Sequence, residues 1–215
     1  MREYRGRSHS NCTIRGLAVD KYIRKIFSVF ALVMIAIFIV AVRGDYWSNL
    51  NWLMLTGSIV CCVLVFRTFV FIFNFSYALA CILNGALLAV WFANPPAILA
   101  GGAMAVYGFR LLLFTGFRMA SASYAPRVKN IRQADAHMPL PIKVALWVQC
   151  SFLYCFHLFA IYIAGQVGWI NPSLLAGVAL ILIGTFIEGL ADYQKQQAKA
   201  VAPESFIRNG LFSRW

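Results

Sequence analysis

Two stretches of the chain, Thr68 to Phe109 and Val144 to Ile187, contain no Asp, Glu, Lys or Arg. Each is more than forty residues long and mostly apolar. Roughly 20 apolar residues in a helix cross the hydrocarbon core of a bilayer, so each stretch has room for about two spans. A soluble domain would need charge on the exposed faces of such segments. The pattern predicts an all-α fold, a polytopic membrane helix bundle with the lipid bilayer as its surroundings.

With 215 residues, 61% of them hydrophobic and 12% charged, little material remains for a separate soluble domain. Residues 1–25 read as a basic cytoplasmic N-tail and 26–215 as one membrane domain. The net charge of +12 does not indicate nucleic acid, because the basic residues form clusters between apolar spans, as in cytoplasmic loops. Six cysteines are present, none in a CxxC pair. Five lie inside apolar spans, where they read as small hydrophobes, and the ligand spacing of a metal site is missing. The basic lead followed by Ile26–Val42 resembles a signal peptide. It has no A-x-A site before Arg43, and further spans follow, so an uncleaved first span is expected.

Six spans follow from the pattern. Span one is about Ile26–Val42. Arg43-Gly44-Asp45 then turns the chain, with Tyr46, Trp47 and Trp52 as an aromatic belt. Span two runs from Asn49 to Phe66 or Phe73, Arg67 either snorkelling from the helix or sitting in the loop. Span three is about Ser76–Phe92, and Pro95-Pro96 forces the next turn. Span four is about Ala97–Arg118. The polar segment Met119–Lys143 carries Arg127, Lys129, Arg132, Asp135 and His137. Span five is about Ile142–Ala164. Asn171-Pro172 reads as an N-cap with proline at the first helical position, opening span six, Pro172–Leu190, whose helix continues into Ala191–Ala200. Lys and Arg crowd the N-tail, the segment after span four and the C-terminal tail, while the loops after spans three and five have none. Six spans with both termini cytoplasmic satisfy this asymmetry.

Function is to be sought among the few polar groups in the spans. Tyr107, Arg110, Phe114 and Arg118 fall within an arc of about 80° on one face of span four, and Arg110 sits about 12 Å deeper than Arg118. An arginine at depth costs on the order of 2.5–3.5 kcal/mol by insertion scales. It therefore implies a partner: a carboxylate, a carbonyl or an anionic ligand. Glu188 and Asp192, four apart, share a face of span six. Asp192 could equally pair with Lys195 or Lys199. His157, Asn84 and Gln149 read as helix–helix hydrogen-bonding groups. No HExxH, GxSxG, P-loop or GxGxxG motif occurs.

Tyr107-Gly-Phe-Arg110-Leu, followed by Arg118 and Tyr124, resembles a stretch of the bacterial domain-of-unknown-function 1295 membrane proteins, in the steroid 5-alpha-reductase superfamily. Glu188-Gly-Leu-Ala-Asp192-Tyr-Gln-Lys195, then Asn209-Gly-Leu-Phe-Ser-Arg214, resembles the "E-x-x-A-D-x-Q-K … G-L-x-x-x-S-R" stretch of the same family. The likeness covers about Ser76 to Trp215. It implies a membrane-embedded, NADPH-dependent reductase acting on a conjugated C=C bond of a hydrophobic, lipid- or steroid-like substrate, in a bacterial inner membrane. On that resemblance Tyr107 is the catalytic donor to the substrate carbonyl, and Arg110, Arg118, Tyr124, Glu188, Asp192 and Lys195 bind the cofactor, with no metal. Two departures accompany it. The family's Glu partner on an early span has no counterpart, since no Asp or Glu lies between Asp45 and Asp135. The family pattern also continues past Trp215 with "H-P-N-Y" and a further helix, so the chain reads as a C-terminally truncated member, expected to bind NADPH weakly or not at all. Two other readings stay open: a membrane methyltransferase of the isoprenylcysteine or phospholipid type using S-adenosylmethionine, and a non-catalytic protein whose polar groups only hold helices together.

Overall fold

The computed structural model describes residues 28–44, 46–202, 207 and 210–212. The N-tail, the first two residues of span one, Asp45 and three residues of the second motif (Asn209, Ser213, Arg214) lie outside the described residues. The chain divides into two compact units between Ser48 and Asn49. In the first, an apolar helix α1 spans Ser28–Arg43. Its end is closed by Gly44 N–H donating to the Val40 carbonyl at 2.9 Å and Tyr46 N–H to the Ala41 carbonyl at 3.0 Å. Phe38 and Trp47 meet edge to face, centroids 5.0 Å apart.

The second unit contains α2 (Asn49–Cys62), α3 (Tyr77–Phe92), α4 (Pro95–Ala120), α5 (Ala125–Ala136), α6 (Leu140–Phe156), α7 (Phe159–Val167) and α8 (Pro172–Val201). Five helical segments here are long and apolar enough to cross a membrane: Asn49–Phe66, Ile72–Phe92, Pro95–Ala120, Leu140–Val167 and Pro172–Val201. This is the architecture of a multi-pass membrane protein, and the five match the expected spans two to six. Helix α1 is the shorter apolar helix.

Span two ends at Phe66, where α2 tightens into a 3₁₀ turn over Val63–Phe66, and Arg67 stands at its C-terminal end in the turn. The chain re-enters through a π-helical turn, Ile72–Ser76, which runs directly into α3. Asparagine opens both later long helices. The Asn94 side chain accepts from Ala97 N–H at 3.1 Å and the Asn171 side chain from Leu174 N–H at 2.8 Å, each followed by proline at the first helical position.

Span five differs from the uninterrupted helix expected of it: it breaks between α6 and α7 at His157-Leu158. Side chains occupy the Tyr154 carbonyl. Asn84 Nδ2 donates to it at 3.4 Å and His157 Nδ1 lies 3.0 Å away. Because a carbonyl only accepts, that contact puts the ring proton on Nδ1 and leaves Nε2 as an acceptor facing Cys81 Sγ at 3.6 Å. Local side-chain bonds of this sort compete with the helical ladder and break it.

Helices α3 and α4 pack back to back through small residues. A Cβ on Gly85 would stand 2.7 Å from the Gly101 carbonyl oxygen, and one on Gly108 2.6 Å from that of Ala78. Glycine at these positions lets the two backbones touch, the usual device where burial of apolar surface offers no drive between helices. Buried polar side chains stitch the rest. Asn84 Nδ2 donates to Ser58 Oγ at 2.9 Å, Trp147 Nε1 to the Ile59 carbonyl at 3.0 Å and Tyr154 Oη to the Ile72 carbonyl at 2.7 Å. Gln149 makes no such bond among the described residues.

Two contacts define the ends of this unit. Asn94 Nδ2 donates to the Gly165 carbonyl at 2.6 Å, joining the turns after spans three and five. Phe69 N–H donates to Asp135 Oδ1 at 2.8 Å, joining the turn after span two to α5. Asp135 Oδ2 also pairs with Lys143 Nζ at 2.9 Å, both side chains nearly buried. Burial alone would raise the Asp135 pKa, but the Lys143 and Phe69 bonds outweigh it and hold it below the usual value.

Candidate functional site

Helices α4 and α8 pack directly against one another, and their contact gathers the polar residues of both sequence motifs. Arg110, three turns from the end of α4, reaches two carboxylates of α8. Its Nη2 forms a hydrogen-bonded ion pair with Asp192 Oδ2, and its Nη1 lies 3.2 Å from Glu188 Oε2. Asp192 therefore pairs with the arginine of the neighbouring helix rather than with Lys195 or Lys199. Only 17% of the Arg110 side chain is exposed, against 46% for Glu188. The Glu188 contact lacks hydrogen-bond geometry, so the buried Nη1 is a donor without an acceptor. The guanidinium also stands 5.6 Å above the Phe114 ring, one turn further along α4.

Two turns beyond Arg110, in the last turn of α4, a cavity of about 310 Å³ opens against α8. Arg118 and Arg127 wall it on one side and Lys195 and Lys199 on the other, with Phe114 and Tyr124 between them. Four cations and no carboxylate line it. The Arg118 guanidinium lies 4.5 Å from the centroid of the Tyr124 ring, within the range of a cation–π contact that orients an arginine without neutralising it. Serine 121 shapes the rim: its Oγ donates to the Arg118 carbonyl at 3.1 Å, beyond the last turn of α4.

Six of the seven residues singled out in the sequence thus fall into two adjoining groups. Arg110, Glu188 and Asp192 form an ion cluster; Arg118, Tyr124 and Lys195 line the cavity. Tyr107 makes no hydrogen bond or ion pair with either group, although Glu188 and Arg110 lie within electrostatic range of it. Its ring packs edge to face on Tyr77 of α3 at 6.0 Å, and Tyr77 in turn lies 5.3 Å from the His157 ring. Arg127 and Lys199 complete the cavity and were not singled out. For Lys199 the sequence held a signal: Glu188, Asp192, Lys195 and Lys199 follow one another at helical spacing, so a single stripe of α8 carries all four. Nothing in the spacing of Arg127 marked it, because the turn Ser121–Tyr124 between α4 and α5 sets its direction.

No protein-family model, curated protein or solved structure matches the chain. The chemistry of the site rests on its own residues: a carboxylate-held arginine with one spare buried donor, beside a small basic chamber. Such a donor set suits a phosphate-bearing ligand.

Proposed function

We propose that the chain is a multi-pass membrane oxidoreductase of the steroid 5-alpha-reductase type. In this reading it uses NADPH to reduce a conjugated carbon–carbon double bond in a hydrophobic, lipid- or steroid-like substrate. The observation that carries the proposal is the meeting of the two motifs across α4 and α8, where Arg110 engages Glu188 and Asp192 beside the basic cavity. The residues fit an anionic dinucleotide. The unbonded Arg110 Nη1 asks for an acceptor, and Arg118, Arg127, Lys195 and Lys199 offer charge to phosphates. At about 310 Å³ the cavity suits a phosphate-bearing part of the dinucleotide rather than all of it.

When bound, the nicotinamide supplies the hydride. The chain's own part is to hold and polarise. Asp192 and Glu188 fix the Arg110 guanidinium and leave acceptor capacity for ribose hydroxyls. Tyr107 donates a hydrogen bond to the substrate carbonyl oxygen, on which negative charge grows as hydride adds to the conjugated carbon. No Asp or Glu lies between Asp45 and Asp135, so Tyr107 acts as a donor without the family's early-span carboxylate, with Glu188 of α8 within electrostatic range instead. The concentration of Lys and Arg at the end of the bundle holding Arg67, α5 and the basic cavity supports six crossings, α1 being the first, with that end and both termini in the cytoplasm. A bacterial inner membrane suits this arrangement.

The test is titration of the purified protein in detergent with NADPH, NADH and S-adenosylmethionine, followed by nicotinamide fluorescence and calorimetry. Weak, saturable NADPH binding is expected, lowered about tenfold or more by Arg118→Gln/Lys195→Gln. Binding of S-adenosylmethionine instead would favour the methyltransferase reading.

A further inference from the structure

A second cavity, of about 650 Å³, lies at the basic end of the bundle, away from the α4–α8 site. It forms where span two gives way to the turn before α3, and α5 closes its other side. Arg67, Thr68, Phe71 and Phe75 line it from the turn and the start of span three; Arg132 and Asp135 line it from α5. Asp135 is the only carboxylate among these residues, and it is already engaged on both oxygens, by Phe69 N–H at 2.8 Å and by Lys143 Nζ at 2.9 Å. Neither Arg67 nor Arg132 has an ion pair or hydrogen bond to its guanidinium among the described residues. Among the described residues the cavity therefore presents two guanidinium groups without a carboxylate partner. Thr68 donates its hydroxyl to the Arg67 carbonyl at 2.7 Å in the turn that carries Arg67.

The opposite wall is of another character. Phe71 and Phe75 stand edge to face at 5.1 Å, and Phe75 belongs to the apolar segment Ile72–Phe92 that is long enough to cross a membrane. Arg67 directly follows the last residue of the segment Asn49–Phe66, which puts it at the hydrocarbon edge. The cavity thus joins two cations at the interface to an aromatic wall that descends along a span. A free phosphate would use the first half only. A molecule with an anionic head and acyl chains uses both.

We infer that the Arg67–Arg132 cavity is a binding site for the head group of an anionic phospholipid, its acyl chains lying along Phe71 and Phe75. Asp135 takes no part in binding; its bond to Phe69 N–H ties α5 to the turn and so fixes the distance between the two arginines, while Lys143 of α6 neutralises it. Basic residues at a membrane surface attract anionic lipid individually, and guanidinium groups add forked hydrogen bonding to phosphate oxygens. Two on facing walls give a defined seat.

Native mass spectrometry of the protein released from micelles containing phosphatidylglycerol or phosphatidylcholine would test the site. One phosphatidylglycerol should be retained in preference to phosphatidylcholine, and Arg67→Gln/Arg132→Gln should lower that affinity roughly tenfold to thirtyfold, leaving melting in phosphatidylcholine unchanged. Undiminished preference in this variant would overturn the inference. So would equal stabilisation by inorganic phosphate, which would mark a site for a free anion. A photoactivatable phosphatidylglycerol on the unaltered protein gives a reading that needs no variant. Cross-links should fall within 64–75 and 128–136, and their absence from both segments would count against the site.

Discussion

Arg110 shows how a single residue makes sense only with its partners in view. Its depth in span four implied a partner, and the i, i+4 spacing of Glu188 and Asp192 implied a shared direction; neither fact alone joined them. The structure joins them across α4 and α8. Asp192→Ala leaves Arg110 only the more exposed Glu188 as a partner, so it should cost about 2 kcal/mol, less than for a fully buried pair because water reaches part of both side chains. Arg110→Gln/Asp192→Asn, which removes the two more buried charges and leaves the half-exposed Glu188 to water, should cost less than Asp192→Ala alone, a non-additivity readable from thermal melts in detergent. Asp135 gives a prediction in pH. Its pKa is lowered in the folded chain, so its stabilisation is fully present above the unfolded value, near 4, and is lost as pH falls through the folded one. Melting temperature should therefore fall more steeply below about pH 4 for the native chain than for Asp135→Asn, the two curves converging in acid. Parallel curves would show that the Lys143 and Phe69 contacts contribute nothing. Asp135 itself was not legible beforehand, since its partners are a backbone N–H far away in sequence and a lysine in the first turn of the next helix.

At the scale of elements, the runs without charge marked spans two to six, and Asn171-Pro172 marked the start of α8. These features are local: hydrocarbon demands apolar length, and capping demands a side-chain acceptor beside a proline. The break in span five was not legible, because its cause lies partly on another helix. Asn84 of α3 and the ring of His157 take the Tyr154 carbonyl out of the ladder, and no proline or glycine announces it. The approach of α3 to α4 is likewise a pairwise property. Gly101 and Gly102 are neighbours in one helix, yet a Cβ on Gly101 would collide with the Gly85 carbonyl while one on Gly102 would meet nothing within 4 Å. Gly101→Ala should accordingly destabilise the protein by about 1–3 kcal/mol, and Gly102→Ala should be neutral or stabilising by up to about 1 kcal/mol. Equal melting temperatures for the two variants would mean that the helices stand further apart than described.

For the molecule as a whole, the proposed orientation can be checked without a ligand. In a cysteine-free background, single cysteines at Ala93 and Gln166 should react with an impermeant maleimide added outside intact cells, and one at Asn130 only after the membrane is opened. Labelling of position 130 from outside would reverse the bundle. The division of the Arg110 cluster between α4 and α8 has a further consequence, for assembly during synthesis. The arginine enters the membrane with α4, but the carboxylates that neutralise it belong to α8. At about 5–20 residues per second, the ribosome needs on the order of ten seconds to travel from one to the other. Through that interval the half-made protein holds an unmatched cation among apolar helices, so its fourth helix should lodge insecurely or wait beside the insertion machinery until α8 emerges. The ion cluster is then a latch as well as a candidate site: Arg110 is matched only when α8 arrives.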